Sequence, residues 1–194
     1  MELTQIMNAD QTHVAASIDN VEVLIHAVED LRAQIPDWDE LTRREKLQRS
    51  RDVEPVRRWE THNVTLEQYH EEIIRGLDPA VENDLEISHL ALGNGDSAPS
   101  VGDDGLENEL FRTTITDIVN RDTEILASTF LTSSMANGDS YYEGAIVGER
   151  AEGSDLFVNR LLLDDPEGRL DPKTSQNTAT VNITIGQEDQ SEVN

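Results

Sequence analysis

The stretch Val14-Ala15-Ala16-Ser17-Ile18-Asp19-Asn20-Val21-Glu22-Val23-Leu24-Ile25-His26-Ala27-Val28 decides how the first half of this chain is read. Within it Val14, Ile18, Val21, Ile25 and Val28 recur at alternating steps of four and three, which is the spacing of a heptad seam. Leu31 and Ile35 continue the pattern less regularly. The spacing predicts an amphipathic helix. All five regular seam positions are β-branched, and in parallel coiled coils that choice at both core positions favours trimers or larger assemblies over dimers. The same face packed inside its own domain is the alternative, and the spacing leaves both open.

Working outward, Pro36 ends this helix and Asp37-Trp38-Asp39 starts another that runs to about Arg51. Pro55 interrupts next. Thr65 followed by Gln68 has the form of a capping box for a third helix, Leu66 to about Gly76, with Gly76 and Pro79 as the stop. Residues 1–82 therefore read as a helical region for oligomerisation or anchoring.

Residues 84–187 carry a different pattern. Leu85 to Leu92 forms a short apolar strand, and Gly93 to Gly105 forms a loop rich in Gly, Asp, Ser and Pro. Further strands are expected at Arg112–Val119, Glu124–Leu131, Tyr141–Gly148, Leu156–Leu163 and Thr178–Ile185. The last alternates cleanly, with Val181, Ile183 and Ile185 on one face and Thr180, Asn182 and Thr184 on the other. The fold class expected is α+β: the helical N-terminal region, then a small antiparallel β-sandwich or barrel, then a polar tail at 188–194.

Charge narrows the setting. The chain carries 40 acidic against 15 basic residues, a formal net charge of −25. Only Lys46 and Lys173 are lysine. The acids are scattered among apolar residues, which disfavours a solvating tail and fits a protein of a halophilic host, where salt screens the self-repulsion. The same charge argues against broad nucleic-acid binding, because phosphate recognition needs a basic surface. There is no cysteine, which excludes disulfides and thiolate metal sites. Met1-Glu2-Leu3-Thr4 lacks the basic and apolar regions of a secretory signal, and no apolar run approaches the ~20 residues of a membrane span. The protein is expected to be made in the host cytoplasm and to make no membrane contact.

Several pieces of the second half occur in a telling order. These are Ile87-Ser88-His89-Leu90-Ala91-Leu92-Gly93-Asn94-Gly95, the Asp/Ser/Pro loop, and Leu106-Glu107-Asn108-Glu109-Leu110-Phe111-Arg112. Tyr142-Glu143-Gly144-Ala145-Ile146-Val147 follows, and later Lys173-Thr174 leads into Val181-Asn182-Ile183-Thr184-Ile185. Their succession resembles a β-module of fibre and baseplate-associated structural proteins of tailed viruses. In that pattern a small residue precedes the glycine after the glutamate, whereas here Gly144 precedes Ala145. The resemblance implies a multimeric virion component.

No catalytic constellation stands out, and a non-enzymatic protein is expected. The histidines His13, His26, His62, His70 and His89 lack convergent metal-ligand spacing. There is neither a Gly-x-Ser-x-Gly elbow nor a phosphate-binding loop. No cofactor is expected; the acids Asp164, Asp165, Glu167 and Asp171 are weak candidates for holding Mg²⁺ or Ca²⁺. One segment opposes the overall charge: Arg43 to Arg58 holds seven basic and three acidic residues, flanked by Trp38 and Trp59. It could dock onto an acidic neighbour or pair with the protein's own carboxylates.

The expected function is that of a structural virion protein of a halophilic tailed virus, working through protein–protein contacts in the tail, baseplate or fibre. Its partners would be copies of itself, as a trimer or higher, and other virion proteins. The interface residues expected are Val14, Ile18, Val21, Ile25, Val28, Trp38, Arg57, Arg58 and Trp59. A capsid-surface decoration or turret protein is the nearest alternative. From another class, an intracellular regulator could hold DNA or an acidic protein through residues 43–58.

Overall fold

The computed structural model describes residues 16–61, 63–78, 85–121, 124–150, 153–163 and 173–187. Its first element overturns the expected fold class. Ala16–Ala27 is a strand, β1, where a helix was expected. The chain is not α+β with a helical N-terminal region; it is mainly a β-sandwich with three short helices among the described residues.

The seam fails for a geometric reason. Steps of four and three keep one face of a helix but cannot all stay on one face of a strand, so Val21 and Ile25 share a face of β1 while the steps of three break the alternation. The alternation that matters is Val21, Val23, Ile25, all buried in the core. A β-branched run loses rotamer freedom in a helix and fits a pleated sheet better. Long-range ladders then settle the choice. On one side β1 meets β11 (Asn177–Gln187), with Val21 opposite Ile183 and Val23 opposite Val181. On the other it meets β2 (Arg57–Thr61), with Val23 opposite Trp59. Val14 lies outside the described residues.

The first sheet runs β2-β1-β11-β7-β6, where β7 is Glu124–Leu131 and β6 is Asp117–Arg121. The second runs β3-β10-β8-β4-β5, with β9 also paired to β8. Its strands are β3 (Asn63–Thr65), β4 (Glu86–Gly93), β5 (Glu109–Thr114), β8 (Glu143–Glu149), β9 (Asp155–Phe157) and β10 (Asn159–Leu162). All pairings are antiparallel. Val21, Val23, Ala179 and Val181 from the first sheet meet Leu90, Leu92, Ile146 and Leu161 from the second in one hydrophobic core. Both sides of the expected boundary at 82–84 contribute strands to both sheets.

The expected strand Arg112–Val119 is two strands in different sheets. The Ile115 N–H bonds Ser88 O on β4, and the next N–H, that of Thr116, bonds Ser128 O on β7. One peptide step thus moves the chain from one sheet to the other.

The helices found are shorter than expected. Helix α1 (Val28–Gln34) does end before Pro36, and a 3-10 turn at Trp38–Glu40 precedes α2 (Arg43–Ser50). Thr42 and Glu45 form a reciprocal capping box at the start of α2. None forms at Thr65, which closes β3; α3 (Glu67–Arg75) begins from Leu66 without a side-chain cap. Leu31, Ile35, Trp38, Leu47 and Val53 pack with Phe130 into a second core, Trp38 meeting the Phe130 ring edge-on at 6.0 Å. Phe130 alternates with the inward-facing Ala127 and Leu131 of β7, so this cluster covers the outer face of the first sheet. That cover buries His26, whose Nε2 lies 3.0 Å from Val53 O, and explains why β1 is apolar on both faces near its end. No helix among the described residues is long and apolar enough to cross a membrane.

Candidate functional site

Strand β8 reads Glu-Gly-Ala-Ile-Val-Gly-Glu and is buried up to Gly148, so a carboxylate at its first position needs partners. Glu143 is fully buried and has four. Oε1 accepts the Gly95 N–H at 3.0 Å and the Asn108 N–H at 2.9 Å. Oε2 accepts the Glu107 N–H at 3.0 Å and Arg160 Nε at 2.8 Å. One side chain thereby ties both ends of the 93–108 loop to the second sheet.

Arg160, on the neighbouring strand β10, continues the network outward. Its Nη1 donates to Asp103 Oδ2 at 2.7 Å, and its Nη2 donates to Ser97 Oγ at 3.1 Å with Glu107 Oε2 3.5 Å away. Burial disfavours the charged guanidinium, but bonds to Asp103 and Glu143 outweigh it and raise the pKa. Burial likewise pushes the Asp103 carboxyl up, while the Ser100 N–H and Arg160 bring it below its ordinary value. The hydroxyl and N–H of Ser97 lower Glu107. Arg160, Asp103 and Glu107 are thus each held in the ionised form by a partner.

Two glycines of the loop, Gly93 and Gly95, are dictated by this clamp. A Cβ on Gly93 would lie 2.5 Å from Asn108 O and 2.6 Å from Glu143 Oε1. One on Gly95 would lie 2.4 Å from Glu107 Cβ and 2.7 Å from Glu143 Oε1. A Cβ on Gly144 would meet nothing nearer than 3.5 Å, so the inverted Gly144-Ala145 order leaves the geometry undisturbed. Over the clamp the loop forms an open depression of about 490 Å³, lined by Asp103, Asp104, Leu106, Glu107, Phe157 and Arg160. Val101, further along the loop, is 60% exposed.

The expected interface residues are scattered by the fold. Val21, Ile25 and Trp59 are buried in the sandwich core, and Trp38 lies in the second core. Val28, at the start of α1, is also buried, and Ile18 lies on β1. Arg57 stacks on Trp59 at 5.2 Å, and Arg58 pairs with Glu22 at 2.6 Å. Elsewhere in the basic segment, Arg43 Nε bonds Phe130 O at 2.7 Å and Arg44 pairs with Asp117 at 2.7 Å. The metal candidates Asp164, Asp165, Glu167 and Asp171 lie outside the described residues, as do His13 and His62. Among the described residues no group of three or more His, Asp or Glu side chains could hold a metal ion.

Arg160 and the pairing role of Glu143 escape a reading of motifs alone. The available signal was placement: Glu143 heads a run of small and apolar residues and Arg160 directly precedes two leucines, so each charge sits beside core positions and needs a partner there. No protein-family model matches the chain, and neither a curated protein nor a solved structure is significantly similar to it.

Proposed function

We propose that this protein is a non-enzymatic structural component of the particle of a tailed virus with a halophilic host, acting through protein–protein contacts in the tail, baseplate or fibre. The observation that carries the reading is the convergence on Glu143. Gly93-Asn94-Gly95, Glu107-Asn108 and Glu143 itself come from separate pieces of the fibre and baseplate resemblance, and they form one device that presents a loop at a fixed place. The charges of that device are spent on each other, which suits a scaffold better than a reacting centre. Rigid presentation of an otherwise irregular loop is how a sandwich offers a contact surface to partners.

Co-sedimentation with particles from an infected halophilic host tests this reading. The chain is expected in the particle band, and Val101→Asp is expected to reduce its incorporation while leaving the circular dichroism spectrum unchanged. A chain that stays wholly in the particle-free fraction overturns the proposal. A regulator acting through residues 43–58 would remain in that fraction, with Arg43, Arg44 and Arg58 already engaged within the molecule.

A further inference from the structure

Strand β6 stands last in the first sheet, and among the described residues it pairs with β7 alone. Its outer backbone edge therefore offers N–H and C=O groups to a further strand. It also exposes two β-branched apolar side chains, Ile118 at 41% and Val119 at 36%. Strand β2, at the opposite edge, keeps its one apolar side chain, Trp59, buried.

The sequence of β6 is Asp117-Ile118-Val119-Asn120-Arg121. Laid antiparallel against itself with Val119 at the centre, it sets Asp117 opposite Arg121 at one end and Arg121 opposite Asp117 at the other. Residues 117, 119 and 121 pair with Ser128, Leu126 and Glu124 of β7 and so share the outer face. Both charged pairs and the central Val–Val pair would fall on that same face, within direct cross-strand contact. A two-fold axis perpendicular to the sheet generates this register and closes the assembly after two copies.

We propose that β6 is the edge at which two copies of this chain pair about a two-fold axis through Val119, joining their five-stranded sheets into one continuous sheet. This rests on the assembly reading above and takes the self-contact as a dimer, in place of the trimer or higher expected from a helical seam that is in fact strand β1. The arrangement covers the exposed apolar pair and satisfies the open edge in one step. Arg121 now pairs with Glu124 on its own sheet and is half exposed, which leaves it within reach of a copy's Asp117. Asp117 is held by Arg44 with its side chain only 7% exposed, so a copy's Arg121 would meet the rim of an existing Arg44–Asp117 pair and not a free carboxylate.

The chain has no cysteine, so a single introduced thiol reports the axis without background. Val119→Cys in molar salt is expected to give a disulfide-linked dimer under mild oxidation, because symmetry places it opposite itself at about 5 Å between Cβ atoms. Leu110→Cys, on the edge strand β5 of the other sheet and 42% exposed, is the collision control and is expected to remain monomeric. Light scattering on the unmodified protein is expected to give a dimer mass. Arg121→Glu, which opposes like charges at both ends, is expected to weaken the dimer about tenfold or more. A monomer mass well above micromolar concentration overturns the proposal, as does equal cross-linking of the two cysteine variants or a dimer indifferent to Arg121→Glu. These readouts are made in solution without particles, so they fail separately from the co-sedimentation test.

Discussion

Among the described residues, Arg160 and Lys173 are buried cations, and their surroundings are opposite. Arg160 lies between Glu143, Asp103 and Glu107, and its pKa is raised. Among the described residues, Lys173 Nζ meets two neutral oxygens, Met135 O at 2.9 Å and Asn137 Oδ1 at 3.0 Å, and burial lowers it to about 8. Each cation holds a loop: Arg160 the 93–108 loop, Lys173 the turn after β7. The comparison teaches that burial depth does not set the strength of such a tie. What sets it is whether a partner replaces the water that burial removes.

The largest effect should come from breaking the better-matched site. Glu143→Gln keeps the shape but leaves Arg160 without its fully buried carboxylate partner and turns one oxygen into a donor facing N–H groups. Breaking one side of a buried pair costs on the order of 3–5 kcal/mol. Urea unfolding should show that loss, and the loss should be nearly equal in low and molar salt, because buried pairs are little screened. The whole protein should behave differently, with a melting temperature that rises as salt screens a net charge of −25. A mutant deficit that vanished in molar salt would mean that the clamp is solvated.

A smaller change tests the same site through sterics. Gly95→Ala places a methyl where Glu107 Cβ and Glu143 Oε1 already stand, at 2.4 and 2.7 Å. The backbone must shift, at a cost of about 1–3 kcal/mol. Gly144→Ala, with only ordinary contacts at 3.5 Å, should fall within about 1 kcal/mol of the parent. Thermal unfolding of the pair separates glycine required by close approach from glycine that is merely present.

How much of this was legible in the sequence varies by element. Glu124–Leu131 was expected as a strand with the bounds it has, and Val181, Ile183 and Ile185 alternate with Thr180, Asn182 and Thr184 because only the first set faces the sandwich core. The segment Val21–Val28 misled because β1 is covered on both faces near its end, so apolar residues fill helical and strand positions alike. Its partner, β11, lies 150 or more positions away, beyond any local window. The loop glycines were visible as a turn signal, but their cause was not, since Glu143 reaches them from another strand. Arg43–Arg58 stood out as a basic run; its split between α2 and β2, with Arg44 on Asp117 and Arg58 on Glu22, depends on contacts across the fold.

The smallest expected effect belongs to Lys173, and its sign separates the two cations most sharply. Replacing it with Met keeps the length of the side chain and removes a charge that the site disfavours. At neutral pH the variant should lie within about 1 kcal/mol of the parent, because exchanging a poorly solvated buried ion for an apolar group is often neutral or favourable. The pH dependence is the diagnostic. Lys173 titrates near 8 in the folded protein and near 10.5 when exposed. Between those values the unfolded chain holds the proton that the folded chain has lost, so stability rises with pH through this window. The gain is complete above about 10.5 and is lost as the pH falls through about 8. Subtracting the Lys173→Met curve removes contributions from the other titrating groups. The difference in unfolding free energy, parent minus variant, should therefore climb from pH 8 to 10.5. A flat difference would mean that Lys173 keeps its proton in the folded state as readily as in water. Its two oxygen partners would then be as good a match for an ammonium as the carboxylates around Arg160 are for a guanidinium, and the contrast between the sites would collapse.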